Sequence, residues 1–160
     1  MAIEAPFSKF KKNNFKIYIT FCIVVAAIFA YDGYLSKYEW SKRQDFYKEH
    51  VIDNNGIPDS TMAFNRNISP ALIVMAILFG IRLSMVKNRK LIADENNIIT
   101  EKLEIPYDKI EQINKTNFDS KGYFVLTYKD AQGNDQTLKL SDRTYDNLPA
   151  VLDEIVKQIT

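Results

Sequence analysis

One cysteine and one histidine are all that 160 residues contain of the two side chains most used for metal binding and nucleophilic chemistry. A single cysteine, Cys22, cannot close an internal disulfide, and its place inside an apolar run reads as a small buried or lipid-facing hydrophobe. His50 has no second histidine and no cysteine near it in sequence, so it reads as a surface or interfacial ring, not as a metal ligand or general base. An excess of charge is also missing: 21 basic against 20 acidic residues leave a formal net charge of +1. That balance argues against nucleic acid, whose binding normally demands a strongly basic face. There is no glycine-rich phosphate loop, no Cys/His cluster and no serine in a nucleophile-elbow context. The sequence therefore indicates no enzyme, no cofactor, no metal and no small-molecule substrate. Tyr107 with Asp108, and Asp142 with Arg143, are the nearest approach to paired polar groups, and a turn and a helix entrance explain them.

What the chain does have is two apolar blocks. Residues 17–31 read IYITFCIVVAAIFAY with no charge, and continuing to Leu35 gives a helix of about 28 Å at 1.5 Å per residue. Residues 68–81 read ISPALIVMAILFGI, and the run from Leu83 to Val86 beyond Arg82 gives a second segment of similar reach. We expect transmembrane helices over 17–35 and 68–86, with Pro70 marking the entrance of the second. A pair of buried core helices is the soluble alternative, but little else in the chain could bury them. A cleavable signal peptide ending near Ala30 is another. Against it, Tyr31, Tyr34, Leu35 and Tyr38 keep helical spacing past the block, which extends the expected first helix to about residue 50.

Orientation follows from lysine and arginine at the segment ends. Lys9, Lys11, Lys12 and Lys16 precede the first block, and Arg82, Lys87, Arg89 and Lys90 end or follow the second. Both termini are thus expected in the cytoplasm, with residues 1–16 a basic cytosolic N-terminus and 36–67 an extracytoplasmic loop. The expected location is the cell (inner) membrane, as a multi-pass protein. Tyr31, Tyr34, Tyr38 and Trp40 form an interfacial aromatic belt. With the basic residues Lys11, Lys12, Lys16, Arg82, Lys87, Arg89 and Lys90, they are the candidate membrane-anchoring residues. Asp32 and Arg82, the charges at the edges of the blocks, are expected to reach opposite interfaces by snorkelling, not to pair. The loop carries five basic and five acidic residues and a DNNGIPDS turn signal.

From 87 to 160 the pattern becomes short β-type runs separated by turns, then one helical stripe. Phe124, Leu126 and Tyr128 share one face of a strand, Leu138 and Leu140 of another, and Ile99, Leu103 and Ile105 of a third. Gly122 and Gly133 suit hairpin turns. Leu148, Val151, Leu152, Ile155, Val156 and Ile159 recur at helical spacing, with Asp146 or Asn147 as cap and Pro149 in the first turn. The expected fold class is therefore an α+β membrane protein: a two-helix transmembrane hairpin, then a small antiparallel curved sheet closed by a C-terminal helix.

The strings LIADENNIITEKLEIPYDKIEQI, GYFVLTYKD, LKLSD and YDNLPAVLDEIV, following directly on an apolar segment, resemble the pleckstrin-homology-like domains of small bacterial membrane proteins. About five strands are legible where that family has seven, which implies an incomplete barrel with an exposed edge for a partner strand or a second copy. Eukaryotic members of the fold often bind phosphoinositide head groups through basic clusters. Here eleven basic and thirteen acidic residues from Lys87 onward give a balance of −2, which argues against such a pocket. The expected partners are the lipid bilayer and a protein, or further copies of the chain. The leading expectation is a membrane-anchored binding or assembly module. An envelope sensor or accessory subunit using the external loop, and head-group binding by the domain, are the alternatives.

Overall fold

The structure, a computed structural model, describes residues 2–159. It is an α+β chain that divides into two compact units. One gathers the start of the chain, up to Asn13, with everything from Ser84 onward; the other is Asn14–Leu83.

The first unit holds seven strands among the described residues, not the five legible in sequence. The difference begins ahead of the apolar blocks. β1 (Ile3–Pro6) pairs antiparallel with β2 (Lys90–Ala93), Ile3 opposite Ala93 and Ala5 opposite Leu91. β3 (Asn97–Ile99) and β4 (Glu104–Pro106) complete a four-stranded sheet in sequence order. The run IITEKLEI is thus two strands and a turn. Ile98 faces Ile105 across the ladder, and the Thr100 hydroxyl accepts hydrogen bonds from the amides of Lys102 and Leu103. Consequently Ile98 and Ile105 enter the core, whereas Leu103 is 40% exposed in the turn. A one-residue change of register exchanges faces in this way.

β5 (Ile110–Asn114), β6 (Tyr123–Lys129) and β7 (Asp135–Ser141) form a three-stranded antiparallel sheet, with a one-turn helix, α4 (Phe118–Lys121), between β5 and β6. Phe124, Leu126 and Leu140 point from it into the core, where they meet Ala5, Leu91, Ile98 and Ile105. The closing helix α5 (Leu148–Ile159) buries Leu148, Val151, Leu152 and Ile155 against the same cluster. Each such side chain contributes about 1.5–3 kcal/mol by leaving water. Ile159, at the end of the stripe, is 40% exposed.

Asp146 does not cap α5. Asn147 between them adopts a left-handed conformation, φ 63°, and the Asp146 carboxylate accepts from the amide of Lys9 at 3.0 Å. It therefore caps α1 (Lys9–Ala30), 137 residues away in sequence. Ser8 donates its amide to the Thr144 carbonyl and the Lys11 ammonium donates to the Thr144 hydroxyl, so the first turn of α1 is bonded to the segment between β7 and α5.

In the second unit α1 runs on through a wider π-type turn, Tyr31–Leu35, and stops there. It does not reach residue 50: turns occupy the stretch before a short helix, α2 (Gln44–Tyr47), and a second π-type turn, Lys48–Ile52. α3 spans Ser60–Val86. Pro70 is accordingly inside a helix, not at its entrance. Two helical stretches, Lys9–Leu35 and Ser60–Val86, are long and apolar enough to cross a membrane. They pack antiparallel, with Tyr18 against Phe79 and Phe29 edge-on to Phe64. Small side chains lie between them: Cys22, Ala26, Ser69 and Ala76 are buried, and the Ser69 hydroxyl donates to the Ala26 carbonyl at 3.1 Å.

Two substitutions test this account of the domain. Phe124→Ala removes a fully buried ring and is expected to destabilise the domain by about 3–5 kcal/mol, read as a lowered thermal midpoint. Gly122 has φ 68°, and a Cβ there meets the Asp142 carboxylate at 2.0 Å. Gly122→Ala is expected to cost about 1–2 kcal/mol, and an unchanged midpoint would remove the strain argument.

Candidate membrane-contacting surface

The outward faces of α1 and α3 are aliphatic and aromatic. Ile17, Phe21, Ile23, Val24 and Ile28 on α1 are 53–63% exposed, and Val74, Ile77, Leu78 and Ile81 on α3 are 53–59% exposed. Within the most apolar window of each helix only 11% of residues are buried. A soluble core helix has the opposite distribution, since burial of its apolar stripe is what holds it.

Proline removes one helix hydrogen bond, and the structure supplies a substitute. Pro70 has no N–H to give the carbonyl four residues back, that of Arg66. The Tyr34 hydroxyl donates to this carbonyl at 2.7 Å. In return the Arg66 guanidinium Nε donates to the Gly33 carbonyl at 2.8 Å. The approach at Gly33 is close: an added Cβ meets the Arg66 backbone nitrogen at 3.0 Å, tighter than ordinary packing. Tyr34, expected as a lipid-facing anchor, thus has its hydroxyl committed to the neighbouring helix while the residue is 46% exposed.

The other expected aromatic anchors divide similarly. The Tyr31 oxygen accepts from the Ser41 hydroxyl and the Lys42 amide, tying the chain beyond α1 back onto it. Tyr38 and Trp40 stack at 5.7 Å, with the Lys37 ammonium over the Tyr38 ring, and Trp40 is 65% exposed. Asp32 meets Arg43 in a two-pronged ion pair, Nε to Oδ1 at 2.9 Å and a second guanidinium nitrogen to Oδ2 at 3.1 Å. Sequence reading placed Asp32 at its own interface but missed Arg43, eleven residues on and opposite in charge. His50 lies on the Phe46 ring, its Nδ1 2.8 Å from the Asp59 carboxylate. Asp59 caps α3 by accepting from the Met62 amide at 2.9 Å. That bond first, and His50 second, hold the Asp59 carboxyl below the usual carboxylate range.

The basic candidates also separate. Lys90 pairs with Glu4 at 2.6 Å, Arg89 with Glu101, and Lys11 bonds Thr144, so all three serve the fold of the first unit. Lys16, Arg82 and Lys87 are exposed, and Lys12 is half-buried. Lys16 and Arg82 lie at the same end of the packed pair, since both Phe15 and Tyr18 contact Phe79.

The first unit has shallow recesses. One of about 300 Å³ is lined by Met85, Arg89, Ile92, Ile99 and Glu101. Another of about 330 Å³ lies beside β4 and β6, with Ile105, Lys109, Tyr128 and Lys129 among its walls. Two of their charged groups are paired: Arg89 with Glu101, and Lys129 with Asp135 and Glu111. Tyr107 of the IPYDKI string is buried, donates its hydroxyl to the Asp94 carbonyl at 3.0 Å, and is pushed by burial up to about 12. It is a structural residue and not a poised acid. Among the described residues no group of three or more His, Cys, Asp or Glu is placed to hold a metal ion.

No family model, no curated protein and no solved structure matches this chain.

The proline substitute gives a coupled prediction. Tyr34→Phe removes the donor to the Arg66 carbonyl and is expected to cost about 0.5–1.5 kcal/mol. In a Pro70→Ala background, where the helix supplies its own donor, the same change is expected to cost much less. Equal costs in both backgrounds, measured by thermal unfolding in detergent, would disprove the link. The Asp59 cap gives a pH dependence. Its folded pKa is depressed, so its contribution is complete above the unfolded value of about 3.9 and is lost as pH falls through the lower folded value. Amide exchange at Met62 should therefore quicken at acid pH in the native protein and be insensitive to pH there, after correction for intrinsic exchange, in Asp59→Ala.

Proposed function

We propose that this chain is a bilayer-anchored, non-catalytic binding module. In this reading α1 and α3 span the membrane as a hairpin, and the first unit is a cytosolic assembly domain. The observation that carries it is the exposed apolar belt of two 27-residue helical stretches, 11% buried in their most apolar windows. Leaving so much aliphatic surface in water is unfavourable at about 25 cal/mol per Å², whereas acyl chains accept it. The pairing of β1 with β2 supports the placement of both termini on one side, because one strand precedes the hairpin and the other follows it. Lys12, Lys16, Arg82 and Lys87 flank the hairpin near that side, which favours the cytoplasm. Tyr38 and Trp40 then belong to the opposite interface.

The two sheets of four and three strands, closed by α5, support the pleckstrin-homology-like reading of the domain. Its binding partner is a protein or a second copy: β4 and β7 each have one neighbour only among the described strands, and an edge strand can accept another. Head-group binding has less support, because Arg89 and Lys90 are already paired within the domain. The external-loop sensor is favoured by one feature, the ordering of that loop by Asp32–Arg43 and His50–Asp59 around an exposed Tyr38–Trp40 pair.

Alkaline carbonate washing is expected to leave the protein in the membrane pellet, and recovery in the supernatant would end the spanning reading. In a Cys22→Ala background, Glu49→Cys should react with an impermeant maleimide in intact cells and Lys121→Cys only after permeabilisation. The reverse pattern would invert the topology. Crosslinking in native membranes should trap a protein adduct or a dimer; a lone monomer would remove the assembly reading. Replacing Tyr38 and Trp40 by serine should leave that adduct intact, unless the loop is the contact.

A further inference from the structure

The two helices are long, but the part of each that is free of charge is short. It covers residues 17–31 of the first and 67–81 of the second, 15 residues in both. At 1.5 Å per residue each stretch is about 22 Å tall, against about 30 Å for an ordinary hydrocarbon layer.

Length in the sequence alone does not fix the height of the band, because two short stretches could be staggered. The packing removes that freedom. Tyr18 against Phe79, Ser69 on Ala26, Phe29 against Phe64 and Arg66 on Gly33 put the two stretches side by side at nearly the same height. One edge of the shared band carries Lys16 and Arg82, both exposed. The other carries Arg66 and the Asp32–Arg43 pair.

Long basic side chains often extend a short span by reaching outward. Lys16 and Arg82 can do so. Arg66 cannot, because its Nε is bonded at 2.8 Å to the Gly33 carbonyl of the neighbouring helix. Asp32 is similarly held by Arg43. Tilting does not help either, since tilt shortens the vertical reach of a span that is already short.

We infer that the hairpin fits a bilayer thinner than average and thins an ordinary one around itself. The inference rests on the spanning reading above and adds the kind of membrane the surface fits. It places the protein where the hydrocarbon layer is thin or easily compressed.

The test uses the full-length protein in vesicles of dimyristoleoyl-, dioleoyl- or dierucoyl-phosphatidylcholine, a series of increasing thickness. Flotation reports incorporation, and far-ultraviolet circular dichroism reports the thermal midpoint. Flotation with all three is expected, with the midpoint highest in dimyristoleoyl vesicles and lower by several degrees in dierucoyl ones. Lys16→Leu with Arg82→Leu lengthens the charge-free stretches to residues 13–31 and 67–86. This variant should move the highest midpoint to dioleoyl vesicles. A wild-type maximum in dioleoyl or dierucoyl vesicles, with flotation intact, overturns the thickness inference and leaves the spanning reading standing. A variant that keeps the wild-type optimum overturns the charge band as its cause. Failure to float with any of the three overturns the spanning reading itself.

Discussion

A four-residue strand at the beginning of the chain pairs with the strand that follows the second long helix, and the architecture depends on that ladder. It converts an apolar hairpin from an appendage of a small domain into an insertion within it. Ala5 is fully buried beside Leu91 and Ala93, so the strand contributes to the core as well as to the sheet edge. The Asp146 cap on α1 and the bonds from Ser8 and Lys11 to Thr144 extend the same attachment. α1 thus starts, and α3 ends, in the first unit, and their antiparallel arrangement follows from connectivity.

Within the hairpin the organising rule is that each helix carbonyl keeps a donor. Pro70 breaks that rule locally, and the Tyr34 hydroxyl restores it from the other helix. The repair is specific: it joins one residue to one carbonyl and fixes the height of α1 against α3. Arg66 and Gly33 complete it, and the absence of a side chain at Gly33 is what lets the backbones approach. The same contacts that satisfy the backbone also set the height of the charge-free band.

The recesses of the first unit are open, Arg89 and Lys129 in their walls are paired with near neighbours, and the buried Tyr107 is hydrogen-bonded to the Asp94 carbonyl. The proposed assembly reading asks for displayed sheet edges, and the unit has them at β4 and β7. Binding to another protein asks for shape and backbone pairing, not for poised acids or bases.

Sequence alone determined the two apolar helices, the strand-rich second half and the stripe of α5, because hydrophobic periodicity is a local property that survives without tertiary context. It also located Gly133 in the hairpin turn between β6 and β7, whereas Gly122, read the same way, ends the short helix α4. β1 was not legible, because IEAP is four residues long and reads as a strand only once a partner 87 residues away is known to pair with it. The roles of Tyr34, Arg43, Pro70 and Asp146 were hidden for the same reason. Each is set by a hydrogen bond or ion pair to a group that sequence spacing does not bring near, and only the folded chain decides which distant carbonyl, carboxylate or amide each one meets.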